Sequence, residues 1–151
     1  IVLVNPEIPP NTGNIIRLCA NTGYYLHLIK PIGFDLNDKQ LKRAGLDYHD
    51  IAKVKIHDNL NEFIKTINPK RILATTSKVS KSYTTIKFNK NDAILFGSES
   101  NGLSECIINK IQKENVFTIP MKPNNRSLNL SNAVSIIVYE SWKQHNFEGS
   151  V

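Results

Sequence analysis

The sequence predicts an α/β fold, a mostly parallel sheet with helices on both faces, built as one domain over residues 1–151. Three observations predict it. Short apolar runs alternate with amphipathic segments along the whole chain. The run at 93–96 is wholly apolar and ends in Gly97, as a strand covered on both faces requires. Hydrophobic residues make up 40% of the chain and charged residues 21%, enough for a core that needs no disulfide or metal staple.

Taken in order, residues 1–4 read as a strand, and Pro6, Pro9 and Pro10 force an extended or turning stretch after it. The opening residue is Ile1 and already reads as strand, so a few leading residues are expected before it. Asn11 is the expected N-cap of a helix through Ile15, Ile16, Leu18 and Cys19, ending near Gly23. Residues 25–30 form the second strand. Asn37 with Gln40 three later resembles a capping box for a short helix to Ala44. A weak strand around 54–56 precedes a helix capped by Asp58, with Leu60, Phe63, Ile64 and Ile67 on one face, stopped by Asn68 and Pro69. Arg71–Thr75 is the fourth strand, 77–91 a polar stretch, and 93–96 the buried fifth strand. A helix over 104–112, a strand over 116–119, a Pro- and Asn-rich loop and a last helix from about Asn129 complete the chain.

In such sheets ligands sit beyond the carboxyl ends of the strands, which directs attention to the loops after Val4, Thr75, Phe96 and Ile119. The last helix carries Leu130, Ala133, Val134, Ile137, Val138, Ser141 and Trp142 on one stripe, widened by Ile136 and Tyr139. Either the domain core buries all of it or a second subunit covers part; an oligomer is the favoured reading.

Lys and Arg number 19 against 13 Asp and Glu, a net charge of +6 that favours polyanionic partners, nucleic acid first. Lys70, Arg71, Lys78, Lys81, Lys87 and Lys90 fall in a stretch without one acidic residue, which is either a solvated basic face or a surface that follows phosphates. Cys19 and Cys106 read as free, buried thiols, and no spacing of Cys and His suits a metal. His27 reads as a satisfied structural histidine. No apolar run reaches the roughly 18–20 residues that span a bilayer and no signal peptide opens the chain, which points to a cytoplasmic protein without a membrane partner.

Three motifs carry chemistry. Gly97 to Leu103 (GSESNGL) follows the buried strand; it lacks the lysine of a phosphate loop, and the dinucleotide fingerprint G-x-G-x-x-G is not present anywhere in the chain. What remains is a glycine-bounded turn in which Gly97 lets a ligand approach the backbone, with Glu99 at the tip, or a tight turn with a solvated Glu. Arg126 to Asn132 feeds a polar loop into a helix start, where Ser127, Asn129 and Ser131 serve a ligand or simply cap. Asn11, Asn14 and Arg17 recur at i, i+3 spacing. With 15 lysines and only 4 arginines, an Arg at position 17 suggests use of its planar fork, the alternative being a surface salt bridge.

The segments PEIPPNTGNIIRLCANTG (6–23), RAGLDYHD (43–50), LFGSESNGL (95–103) and IPM…RSLNLSNAVSIIVYESW (119–142) resemble the SPOUT class of RNA methyltransferases over nearly the whole chain. Within that class the likeness is to the minimal bacterial tRNA ribose 2′-O-methyltransferases that act on the wobble cytidine or uridine of leucine tRNAs. The resemblance implies a carboxy-terminal trefoil knot, S-adenosyl-L-methionine (SAM) as methyl donor, a homodimer, tRNA as partner and no metal. It implies that Thr75 (through its backbone), Gly97, Ile119, Ser127 and Leu128 bind the cofactor, that Arg17 is catalytic, and that Asn14, Glu99 and Asn129 bind substrate or shape the site. Thr75 stands where relatives often carry Leu, and Ser98 and Ser100-Asn101 replace the commoner Pro and Thr-Arg. A guanidinium with a pKa above about 12 is a poor base, so Arg17 reads better as an anchor for phosphate that polarises the 2′-oxygen, with base action an open alternative. Lys42, Arg43 and the 70–91 stretch are expected to touch tRNA phosphates. Two rivals remain at this point: a flavodoxin-like nucleotide enzyme and a catalytically silent RNA-binding module, both separable by a SAM titration.

Overall fold

A computed structural model describes residues 1–35 and 54–151. The expected capping box at Asn37 and Gln40, the helix to Ala44, the 43–50 segment, Lys42 and Arg43 lie outside the described residues.

Six strands form one parallel sheet: β1 (Val2–Val4), β2 (His27–Ile29), β3 (Lys55–His57), β4 (Arg71–Thr75), β5 (Asp92–Phe96) and β6 (Val116–Phe117), in the order β3-β2-β1-β5-β4-β6. The α/β expectation is met, with β1 and β5 at the centre. Four described α-helices accompany it: α1 (Pro9–Thr22), α2 (Leu60–Ile67), α3 (Glu105–Ile108) and α4 (Leu130–Gln144). Strand periodicity sorts side chains between two cores. Leu3, Leu28, Leu73, Ile94, Phe96 and Phe117 face Ile15, Ile16 and Cys19 of α1 and Val134, Ile137 and Val138 of α4. Val2, Val4, Ile29, Ala74, Leu95 and Val116 face Phe63 of α2 and Leu103. Both faces of β5 are therefore covered, which its unbroken apolar run announced.

Several boundaries differ from the expectation, each for a local reason. Helix α1 starts at Pro9 with Ile8 at the N-cap, because two prolines suit positions whose N–H groups would otherwise lack partners. Asn59, not Asp58, caps α2, its side chain accepting from the Glu62 N–H; Asp58 pairs instead with Lys30 at 2.8 Å. The helix expected over 104–112 is one turn, capped by Ser104, followed by a 3-10 turn at Lys113–Asn115. Strand β6 is short, and Thr118 bridges to Ser82. The 77–91 stretch contains a 3-10 turn at Tyr83–Thr85 and buries Ile86 and Phe88, so it is less of a surface loop than its composition suggested. Cys19 is buried, its thiol pushed up to about 11 by loss of solvation, whereas Cys106, in α3, is exposed, contrary to the expectation that both are buried.

His27 sits inside a polar chain beneath the sheet. Its Nδ1 lies 3.0 Å from His57 Nε2, and His57 Nδ1 lies 3.0 Å from the Glu62 carboxylate. Phe63 packs edge-on against both rings. An ionised carboxylate only accepts, so His57 carries its proton on Nδ1 and His27 donates to His57 Nε2. Burial above all, then the neighbouring His57 and Lys55, pushes the His27 pKa well below 6.5. Unfolding restores the ordinary value, so the unfolded chain takes up a proton that the folded one excludes. Stability present above pH 6.5 is lost as the pH falls from there through the depressed folded-state value. Urea unfolding across that range is expected to show the decline, and His27→Gln to flatten it; a wild-type slope in the variant removes His27 as the cause.

Candidate active site

The carboxyl ends of β4, β5 and β6 open into a cavity of about 670 Å³, within the range of small-molecule sites. Its walls are the ends of those strands, the 97–103 loop, the first turn of α1 (Ile8 and Asn11) and the 126–130 segment leading into α4. In parallel sheets ligands sit beyond the carboxyl ends of the strands, and this cavity lies there.

The structure brings Thr75, Gly97, Glu99, Ile119, Ser127, Leu128 and Asn129 together on this one cavity. Thr75 turns its hydroxyl into the sheet, donating to the Leu95 carbonyl at 3.3 Å, so its backbone is what remains for a ligand. Ile119 and Leu128, with Met121, supply apolar surface opposite the polar loops. Arg17 and Asn14 are not in the lining. Both are exposed on α1, Arg17 six residues, or roughly 9 Å, along the axis from Asn11. Arg17 is engaged in an interaction of its own in the structure.

Gly97 lines the cavity and also has a steric role within its own loop. A Cβ there would meet the Gly102 carbonyl carbon at 1.9 Å and the Leu103 nitrogen at 2.1 Å. Its lack of a side chain lets the chain's own returning loop pass close, pinned by the Gly102 N–H donating to the Ser98 carbonyl at 2.9 Å. Gly102 holds a left-handed φ of 66°, which closes the turn.

Glu99 is not a solvated turn residue. Its carboxylate accepts from the backbone N–H of Glu7 at 2.8 Å, the backbone N–H of Ile8 at 3.2 Å and the Asn11 side-chain amide at 3.0 Å. Helix α1 has no acidic residue in its first turn and no side-chain cap of its own, so the anion that its N-terminus favours comes from the β5 loop. Asn11 in turn accepts from Asn129 Nδ2 at 2.8 Å. Asn129 Oδ1 accepts from the Ser131 N–H and hydroxyl and the Asn132 N–H, capping α4. Glu99 and Asn129 thus join three walls of the cavity. Sequence reasoning grouped Asn11 with Asn14 and Arg17, whereas the structure buries Asn11 in this network. It also missed Glu7, whose carboxylate accepts from the Ser100 N–H at 3.2 Å and from the Ser100 hydroxyl. A carboxylate two residues before a Pro-Pro helix start was the available signal.

Two cations line the cavity, Lys78 and Arg126, and Lys78 also pairs with Glu105 at 3.1 Å. Much of the basic 70–91 stretch is engaged within the chain: Arg71 binds Asp92, Lys90 pairs with Glu148 at 2.6 Å, and Lys81 donates to the Glu114 carbonyl. Arg71, held at two points by the buried Asp92 carboxylate, is committed to that pair, whereas the exposed Lys90–Glu148 pair is weak and leaves Lys90 able to meet a phosphate. Among the described residues no group of three His, Cys, Asp or Glu could hold a metal, and no helix is long and apolar enough to cross a membrane.

Comparison with known proteins agrees with this geometry. The chain is 54% identical over 151 residues to a protein of Methylovorus glucosotrophus named tRNA (cytidine(34)-2′-O)-methyltransferase, covering 100% of this chain and 98% of that one. It superposes on the crystal structure of an RNA methyltransferase of Bacillus anthracis with a TM-score of 0.87 and 42% identity, over 98% of this chain and 94% of that one. An AdoMet-bound rRNA methyltransferase of Sinorhizobium meliloti matches with a TM-score of 0.79 and 25% identity, over 94% of this chain and 54% of that one. Residues 1–139 match the SpoU rRNA Methylase family. With loops, helix starts and strand order all arranged about one cavity, this chain belongs to that family of RNA methyltransferases.

Proposed function

We propose that this protein transfers a methyl group from SAM to the ribose 2′-oxygen of the wobble nucleotide, cytidine or a modified uridine, of leucine tRNAs, in the cytoplasm and as a homodimer. The observation that carries the reading is the single cavity gathering Thr75, Gly97, Ile119, Ser127 and Leu128 at the strand ends, in a chain 54% identical over its length to a protein named for methylating cytidine 34 of tRNA.

The residues present fit SAM. The cavity is large enough, Ile119, Leu128 and Met121 offer an apolar face for an adenine ring, and the Thr75 and Gly97 backbones and Ser127 offer polar partners. When bound, SAM supplies a methyl group on a sulfonium. The chain itself supplies alignment, because displacement at a methyl carbon depends chiefly on geometry and on removal of the hydroxyl proton. Glu99, Asn11 and Asn129 hold the cavity walls in register. Arg17 anchors a substrate phosphate and polarises the 2′-oxygen, its charge being permanent. The place of Arg17 outside the cavity lining supports a site completed between two copies, as does Tyr139, 50% exposed on α4 beside Trp142. The carboxy-terminal knot belongs to this reading.

One reaction tests it: purified protein, SAM and tRNA, then nuclease digestion and mass spectrometry. A 2′-O-methylated pyrimidine mapping to the wobble position of leucine tRNAs is the expected product. Methylation confined to other tRNAs overturns the leucine assignment, and methylation elsewhere in the molecule overturns the wobble assignment. Failure to bind SAM overturns the chemistry.

A further inference from the structure

The network around Glu99 has a reciprocal half that the family resemblance did not bring forward. Glu99, in the loop after β5, receives the N–H groups of Glu7 and Ile8; Glu7, in the loop after β1, receives the N–H and hydroxyl of Ser100. Two carboxylates on two loops each bind the other loop's backbone, tying the loop after β1 to the loop after β5. The two halves are not equivalent. Glu99 is half-buried and takes three donors, one from a side chain, whereas Ser100 is exposed at the rim. Glu99 builds the wall, and Glu7 with Ser100 closes over its outer edge.

We infer that Glu7 and Ser100 form a latch that positions α1 against the 97–103 loop for methyl transfer, so that they are positioning residues for the reaction proposed above. The inference rests on that reading. Three features argue for a positioning role over simple stabilisation. The latch lies at the surface, where a hydrogen bond adds little to folding but still restricts motion. It joins the helix that carries Arg17 to the loop that lines the cavity. The adjoining residues Pro9 and Pro10 have no N–H groups, so the chain entering α1 has few other polar ties; Glu7 N–H and Ile8 N–H both end on Glu99. A further tie comes from behind, where the Gly33 N–H donates to the Pro6 carbonyl at 2.9 Å and a Cβ on Gly33 would meet the Glu7 Cα at 3.0 Å. Glu7 is thus fixed on one side by the β2 loop and on the other by Ser100.

The test uses the full chain and compares Ser100→Ala, Ser100→Thr and Glu7→Gln. Wild-type activity on leucine tRNA is measured first; its absence would count against the function proposed above and leave the contact to be read by hydrogen exchange alone. Ser100→Ala is expected to lower kcat about tenfold, with the Kd for SAM and the melting temperature close to wild type, since a small misalignment weighs on the transition state more than on binding. Ser100→Thr, which keeps the hydroxyl and the N–H, is expected to restore most of the rate. Amide hydrogen exchange, read independently of activity, is expected to quicken at Ser100 in Glu7→Gln. A wild-type kcat in Ser100→Ala, a Thr variant as slow as the Ala variant, or unchanged exchange at Ser100 in Glu7→Gln would each overturn the latch.

Discussion

Arg17→Lys is expected to lose about a hundredfold in kcat while binding SAM as the wild type does. The charge is retained, so a purely electrostatic or salt-bridge role predicts near-normal turnover. What lysine lacks is the planar fork that grips phosphate with two parallel N–H donors and holds the 2′-oxygen at a fixed angle. The location of Arg17 on the outer face of α1, clear of the cavity lining, makes the separation clean: the SAM site does not need it. Single-turnover rates with leucine tRNA, set beside a SAM titration by calorimetry, decide the matter. Full turnover in the variant would remove Arg17 from the chemistry, and a parallel loss of SAM affinity would make it part of the cofactor site instead.

Gly97→Ala is expected to cost about 3 kcal/mol of stability and to abolish SAM binding. The three atoms nearest the added methyl, at 1.9, 2.1 and 2.4 Å, all belong to the backbone of Gly102 and Leu103. A side chain could rotate away; backbone cannot. Relief requires separating the two sides of the 97–103 loop, which breaks the Gly102 to Ser98 hydrogen bond and displaces Glu99 from the start of α1. Gly102→Ala is the control, because a Cβ there meets nothing within 4 Å and only the positive φ opposes it, a cost of about 1 kcal/mol. Urea unfolding of the two variants is expected to rank them in that order. Equal stability would show that the loop has room to yield.

Both expectations rest on features of different legibility in the sequence. Elements whose signal is periodic were readable: the apolar run of β5 and the stripe of Val134, Ile137 and Val138 each point to burial before any coordinates are known. Element ends were less readable, because capping is decided among neighbours of similar chemistry. Asp58 and Asn59 are both good caps, and the nearby Lys30 draws Asp58 away. The loops that form the cavity were located by the rule for strand ends in parallel sheets, and their residues were named by family likeness, not by periodicity.

The sequence alone determined which residues are apolar, where strands alternate with helices and therefore that a ligand site opens at the carboxyl ends of the strands. These follow from local periodicity and from the handed, parallel connection of strand to helix. Tertiary structure alone decided what Glu99 and Asn11 do. Glu99 finds its partners 92, 91 and 88 residues away, and Asn11 meets Asn129 across 118 residues. A hydrogen bond between distant segments depends on how the sheet is ordered in space, and no window of neighbouring residues carries that order.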